Sequence, residues 1–369
     1  MDSTTNEHAL YKHANSIEKA DAVAWCFTAK DKFEQYPFTF PQLKSDEIKA
    51  NVLYTGLCLS DSLSGRSSWG KANYPLAPGH EIIAEVSEVG ADVQDFKKGD
   101  KVAFGTMRNI CQSCKYCQKG REPLCTGLEQ SEKFTYGKYW GGYATQLQQP
   151  ALLFFKLPQN LNLQKSSPLL CAGITVYTPI KRHLEKGDRC AVIGIGGLGH
   201  LAVQFLAKKG HQVTGVTASD NKTEFIKSLG ATDVLNINDS EQLKEHLGKY
   251  DFVLNTAPVG STIVGEYVKL CAPSGKFIQV GVPHASEDMI ISFMPIVMKE
   301  VQIIGSLVGN REDIREMLEL CAKEDIYPIV EEFGFEEFDK ALDRLENGKP
   351  IFRCVVNVHE YSEKNGLFK

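Results

Sequence analysis

The segment Gly194-Ile-Gly196-Gly197-Leu198-Gly199 constrains the fold of this chain most, because it lies between an apolar β run, Cys190–Ile193, and a helix pattern. Leu198, Leu201, Ala202, Phe205 and Leu206 recur at helical spacing and make one apolar face, and Gly210 ends the pattern. A helix that starts from a tight glycine turn and lies on a sheet aims its unpaired N-terminal N–H groups at one place, which suits a pyrophosphate. Gly194 is expected to make the turn, Gly196 to let backbone approach the ligand and Gly199 to let helix pack on strand, with Gly197 and Leu198 completing the loop. A glycine-rich turn without a ligand is the alternative, and the flanking strand and helix argue against it. Further β runs at Gln212–Thr217, Asp251–Asn255, Lys276–Gly281 and Val301–Gly305 alternate with helices. That alternation predicts an α/β unit with a doubly wound parallel sheet over 171–307.

The chain's 369 residues suffice for two domains. From Ala22 to Val102 the pattern is different: β runs including Ile48–Tyr54 and Ile82–Val89, broken by Pro78-Gly79 and Lys98-Gly99-Asp100, predict a mainly antiparallel β region. After Gly305 come a charged amphipathic helix near Arg311–Lys323 and a β run at Arg353–Val358 with no neighbour in the parallel set. Residues 308–369 are therefore assigned, with 1–170, to the β-rich domain. The net charge of −5, with both signs interspersed, supplies no basic footprint for nucleic acid. No segment reaches the run of about 18 apolar residues that crosses a bilayer, and the first two dozen residues lack a signal-type apolar core. No membrane partner and a cytoplasmic address are expected. In that compartment, eleven cysteines point to thiols and metal ligands more than to disulfides.

Their spacing separates two groups. In Cys111-x2-Cys114-x2-Cys117-x7-Cys125, two-residue gaps let successive thiolates turn onto one tetrahedral Zn²⁺, a closed structural site, with Lys115, Lys119 and Arg121 offsetting the charge. The other group is dispersed: Cys58, then His80 and Glu81, then Cys171. Singly, each reads as well as a small buried hydrophobe or a turn residue. Together, two Cys and one His are the ligands of a zinc with an open fourth position, where the metal acts as a Lewis acid. At the end of the strand after the glycine loop, an acid that would hold ribose hydroxyls is missing. Thr217, Ser219 and Lys222 stand there instead and favour the 2′-phosphate of NADP(H), while Asp220 argues mildly for NAD(H).

With these elements in place, the sequence resembles the zinc-containing medium-chain dehydrogenase/reductase superfamily, and within it the cinnamyl alcohol dehydrogenase-like group. The likeness runs from about Val23 to Val358. It includes Tyr74-Pro-Leu-Ala-Pro-Gly-His-Glu81, the four-cysteine lobe, Pro168-Leu-Leu-Cys-Ala-Gly173 and Gly305-Ser-Leu-Val-Gly309. It implies a GroES-like, mainly β catalytic domain joined to a Rossmann domain. It implies catalytic zinc on Cys58, His80 and Cys171, Glu81 as a carboxylate that exchanges onto the metal, and Asp61 orienting the His80 imidazole. Ser60 falls at the acid/base hydroxyl. Thr175, the backbone at Val280 to Val282, Ser306 and Leu307 fall along the nicotinamide, and Arg353 at a cofactor phosphate. Two family histidines are replaced, by Leu59 and Leu63, and the second change touches the proton relay from Ser60. The stretch between Cys125 and Trp140 is short for the family, so Trp69 and Trp140 are only candidate pocket walls.

The expected function is hydride transfer between NADP(H) and an aldehyde or alcohol, with two zinc ions per chain. A homodimer through the Val301–Gly305 edge strand is expected by analogy of fold. Two alternatives stay open: an idle homologue kept as a binding or scaffold subunit, motivated by the missing histidines, and an imine or ene reductase on the same fold.

Overall fold

Strand Glu47–Leu57 is buried along nearly its whole length, as its Ile, Ala, Val and Leu content requires, and a sheet forms on both of its sides. A computed structural model describes residues 10–257, 261–282, 290–291, 293–347 and 351–368. The chain divides into two compact units, Met1–Cys171 with Ile329–Lys369, and Ala172–Pro328.

The first unit carries a seven-stranded sheet in the order Val330–Gly334, Arg353–Asn357, Glu47–Leu57, Ile82–Val89, Lys101–Phe104, Phe154–Lys156, with Gln146–Pro150 also paired to Glu47–Leu57. All its pairings are antiparallel except Val330–Gly334 with Arg353–Asn357. The C-terminal β run thus finds its partners here, with Cys354 opposite Leu57. A three-stranded sheet of Lys12–His13, Lys32–Thr39 and Ala22–Ala29 adds an aromatic cluster in which Trp140 stacks on Tyr11 at 4.5 Å. Trp140 is only 8% exposed and donates through Nε1 to the Pro75 carbonyl. It is a core residue of this unit rather than the pocket wall the sequence suggested, because its faces are taken by Tyr11, Tyr36 and Phe38.

The second unit is a six-stranded sheet in the order Asp233–Asn236, Gln212–Thr217, Arg189–Ile193, Tyr250–Asn255, Cys271–Gln279, Gln302–Gly305, every neighbouring pair parallel. The chain order reverses between Arg189–Ile193 and Tyr250–Asn255, the switch point at which doubly wound sheets bind ligands beyond their strand ends. The short strand Asp233–Asn236 has no clear sequence signal, being half polar. One boundary needs correction. The helix Arg311–Glu324 belongs to this unit, so residues 308–328 do not return to the β-rich unit as expected. Asn310 caps it by accepting from Asp313 N, and Ile314, Met317, Leu318 and Cys321 are buried. Asp313 receives Lys181 and Arg182 of the helix Ala172–His183 at 2.9 and 2.8 Å, which fixes the amphipathic helix to the parallel-sheet unit.

Candidate metal and cofactor sites

The four-cysteine lobe is built from little regular structure: a one-turn helix Lys115–Gln118 and a 3-10 turn Glu122–Leu124. The Sγ atoms of Cys111, Cys114, Cys117 and Cys125 all lie within 4.8 Å of one another, and every cysteine of the chain is unpaired. A tetrahedral zinc with Zn–S bonds of about 2.3 Å needs sulfurs about 3.8 Å apart. Cys111 and Cys117 Sγ are 3.9 Å apart, so the donor set fits that ion. Backbone N–H groups of Cys117 and Thr126 draw the Cys114 thiol down to about 5, the thiolate form a metal requires. Gly127 is needed beside it, since a Cβ there would fall 2.5 Å from Cys111 Sγ.

The second cluster is positioned by a turn and three chain ends. Cys58 precedes the short helix Leu59–Gly65, His80 and Glu81 lead into strand Ile82–Val89, and Cys171 follows the 3-10 turn Ser167–Leu170. Gly79, at φ +103°, turns the chain so that His80 points inward, and a Cβ there would strike Tyr143. The ligand atoms of Cys58, His80, Glu81 and Cys171 lie within 4.8 Å of one another.

One carboxylate holds this arrangement. Asp61, fully buried, accepts through Oδ1 from Gly79 N, His80 Nδ1 and the Tyr136 hydroxyl at 2.8, 3.1 and 3.0 Å. Its Oδ2 accepts from Cys58 N and the Tyr143 hydroxyl at 3.0 and 2.8 Å. The bond to Nδ1 leaves His80 Nε2 as the nitrogen free to bind a metal.

The electrostatics are those of a cage made for a cation. The hydrogen bond from Cys171 holds Cys58 well below the ordinary thiol range, overcoming burial, and Cys171 itself is pushed well up by the same pairing. Although burial opposes it, the Asp61 charge raises His80 to about 10. Burial pushes Glu81 up to about 7 against the pull of Arg353. The Oε2 atom of Glu81 is buried without a hydrogen-bond partner, and a Cβ on Gly56 would lie 2.0 Å from it. Two thiols sharing a proton, an imidazole and a carboxylate with an orphaned oxygen fit a zinc ion.

Arg353 lies beside the ligand cluster. Its guanidinium, 5% exposed, donates to Glu81 and, at 2.9 Å, to the Leu57 carbonyl. Its described contacts make it the counter-charge of the ligand cluster, as a buried carboxylate demands a buried cation. Tyr136 and Tyr143 were not found from the sequence, where an aromatic near a glycine carries no distinguishing pattern.

In the second unit the glycine loop behaves as its spacing requires. Gly194 adopts φ +83°, and a Cβ on Gly199 would lie 2.1 Å from the Gly194 carbonyl, so its constraint is against the turn more than against the strand. Nothing lies within 4 Å of where a Gly196 Cβ would stand, which leaves that backbone approachable. Gly197 and Leu198 complete the loop into the helix Gly199–Lys208. Thr217 ends its strand partly exposed, Ser219 and Lys222 are exposed, and Ser219 Oγ donates to Asn221. Thr175 is half-buried on helix Ala172–His183, Val280 is buried, and Val282, Ser306 and Leu307 are at least partly open to solvent.

The zinc-binding dehydrogenase family matches residues 197–323, and the alcohol dehydrogenase GroES-like domain matches 44–159. A cinnamyl alcohol dehydrogenase from Arabidopsis thaliana is 34% identical over 330 residues, 87% of this chain and 91% of that protein. The chain belongs to the zinc-containing medium-chain dehydrogenase/reductase superfamily, in its cinnamyl alcohol dehydrogenase-like group. An aldehyde reductase from Synechocystis is 34% identical over 330 residues, 89% of this chain and 96% of that one. A CAD from Helicobacter pylori, solved in complex with NADP(H), superposes with a TM-score of 0.83 at 29% identity, over 91% of this chain and 98% of that one. The fold of this medium-chain dehydrogenase is accordingly a GroES-like β domain and a Rossmann domain. Within it Leu59 is 41% exposed and Leu63 half-buried on the Ser60 helix, and the Ser60 hydroxyl instead lies 3.0 Å from that of Tyr136.

Proposed function

We propose that this chain is an alcohol dehydrogenase/aldehyde reductase that binds two zinc ions, uses NADP(H), and acts on aromatic or aliphatic aldehydes, in the direction of reduction. The observation that carries the proposal is the convergence of Cys58, His80 and Cys171 with a carboxylate, Glu81, that has an oxygen left over. Such a set holds zinc with a position open to substrate, whereas Cys111, Cys114, Cys117 and Cys125 close a structural site. Bound there, zinc supplies a Lewis acid for the substrate oxygen, and the nicotinamide supplies the hydride.

The chain's own residues do the rest. Asp61 fixes the His80 ring, and Arg353 keeps Glu81 in place. Ser60, with its hydroxyl 3.1 Å from Cys58 Sγ, gives its proton to the substrate oxygen in reduction and takes it in oxidation, exchanging it in turn with water. Gly194, Gly196, Gly197, Leu198 and Gly199 bind the pyrophosphate, Thr217, Ser219 and Lys222 the 2′-phosphate, and Thr175, Val280, Val282, Ser306 and Leu307 the nicotinamide side. A homodimer is supported by the edge position of strand Gln302–Gly305 and by exposed Phe293, Met294, Val297 and Met298 on the preceding helix. Among the described residues no helix is long and apolar enough to cross a membrane.

The test joins metal analysis with NADPH oxidation over a panel of aromatic and aliphatic aldehydes. Two zinc ions per chain with turnover are expected. One zinc and no turnover would replace the enzyme by a scaffold subunit, and kcat/KM for NADH above that for NADPH would overturn the cofactor assignment.

A further inference from the structure

We infer that Tyr136 is the positioning residue of Ser60, fixing the direction of the serine hydroxyl that exchanges the proton. This rests on the role proposed for Ser60 above and adds a partner that the sequence did not reveal.

The Tyr136 hydroxyl lies 3.0 Å from Ser60 Oγ, 3.0 Å from Asp61 Oδ1 and 2.7 Å from His80 Nδ1. A phenol has one proton to donate, and both Asp61 oxygens already accept from backbone N–H groups, Oδ1 from Gly79 and Oδ2 from Cys58, which marks that carboxylate as the acceptor. The Tyr136 proton therefore goes to Asp61, and the Tyr136 oxygen is left as an acceptor. Ser60 is the hydroxyl beside it, 3.0 Å away, so in the empty site Ser60 donates to Tyr136, and the same hydroxyl turns its proton to the substrate oxygen in reduction. Without Tyr136 the remaining described acceptor for that proton is Cys58 Sγ at 3.1 Å, a proposed metal ligand. A single phenol thus decides whether the serine proton is held by a neutral oxygen or drawn onto a thiolate.

The backbone argues independently for this placement. Tyr136 has φ +82°, a left-handed conformation that a bulky residue adopts only when its surroundings impose it. Those surroundings are present: Thr135 N donates to Thr106 O at 3.1 Å, Phe134 pairs with Met107, and Lys138 N donates to Ser131 O at 2.9 Å. Gly137 lies so close to Ser131 that a Cβ would fall 2.0 Å from its carbonyl oxygen. The loop is pinned on both sides of Tyr136, and what the strained residue delivers is its hydroxyl to the Ser60, Asp61 and His80 triangle. The ring meets His80 edge-on at 5.7 Å, so Tyr136→Phe keeps the packing and removes only the hydroxyl.

The experiment compares wild type, Tyr136→Phe, Ser60→Ala and the double variant, each with excess zinc, by aldehyde reduction and by the rate at which a chelator removes zinc. Tyr136→Phe is expected to lower kcat by about 10–100-fold with KM for aldehyde and NADPH nearly unchanged. The double variant is expected to be no slower than Ser60→Ala alone, since Tyr136 acts through Ser60. Asp61 keeps its bond to His80 Nδ1 in Tyr136→Phe, so release of zinc to the chelator is expected to stay within about twofold of wild type, which separates a lost proton partner from a lost metal site. Wild-type kcat in Tyr136→Phe, or losses that multiply in the double variant, would overturn the inference. Unimpaired Ser60→Ala would instead sink the proposed role of Ser60, and this inference with it.

Discussion

Arg353 and Glu81 form a buried ion pair whose removal has a calculable effect on the metal-free protein. Glu81 is fully buried, and Arg353 is the charge partner of its Oε1, while Oε2 has none among the described residues. Arg353→Met keeps most of the side-chain volume and strands the carboxylate. Breaking a buried pair from one side costs about 3–5 kcal/mol. Losing the bond to Leu57 O adds about 1 kcal/mol. With a urea m-value of ~2 kcal/mol/M the midpoint of the first unit drops by about 2–3 M. All three tryptophans, Trp25, Trp69 and Trp140, lie in that unit, so their fluorescence follows its unfolding separately. The loss depends on pH with a definite sign. Because the folded-state pKa of Glu81 stands above its ordinary value, at about 7, its ionisation opposes folding. Stability is full below the ordinary carboxylate range and falls as pH rises towards 7. Without Arg353 the fall continues to higher pH, so the deficit of the variant is larger at pH 8 than at pH 6. His80, raised to about 10, loses its own contribution between about 6.5 and 10 in both proteins and cancels in the difference. The double variant Arg353→Met/Glu81→Met, apolar on both sides, is expected to recover most of the stability. An unchanged midpoint in the single variant at pH 8, or a double variant as unstable as the single, would refute the assignment of Arg353 to Glu81.

Gly127→Ala places a methyl 2.5 Å from Cys111 Sγ and is expected to reduce zinc from two ions to one per chain by elemental analysis, with the Cys58 site retained. Gly196→Ala meets no protein atom within 4 Å, so unfolding is expected within about 1 kcal/mol of wild type. Its methyl instead occupies space assigned to cofactor, and titration calorimetry should find NADPH bound at least about tenfold more weakly. Leu63→His restores an imidazole on the Ser60 helix and is expected to raise alcohol oxidation near pH 7 by about tenfold. An unchanged rate would show that the relay does not limit turnover.

Much of this molecule was readable from spacing. The cysteine lobe and the glycine loop are local, and for them a few consecutive residues determine the geometry, down to the turn at Gly194 and the room at Gly196. The dispersed ligands are not local: Cys58, His80 and Cys171 converge only through strands Glu47–Leu57 and Ile82–Val89 and the Ser167–Leu170 turn, so their identification leaned on the family likeness. The helix Arg311–Glu324 was assigned to the wrong unit because amphipathic periodicity tells which face is buried and not against what. Its partner was visible only as Lys181 and Arg182, more than a hundred residues upstream. Tyr136, and the pairing of Arg353 with Glu81, escape the sequence for the same reason. A buried charge or phenol takes its meaning from partners distant in sequence, here Glu81 and the Asp61 group.

Asp61 has a consequence for how the protein acquires metal. Its carboxylate already fastens the Cys58 backbone, the Gly79 turn and the His80 ring with no ion needed to gather them. A zinc entering here would meet donors that have given up their freedom during folding, so its uptake would be a docking event in the folded chain. The cysteine lobe is held by a one-turn helix, a 3-10 turn and the Lys133 bond to the Cys125 carbonyl at 2.8 Å, so an ion there would itself order four thiols that little regular structure positions. Two ions held in these ways would be loaded at different moments in the life of the chain.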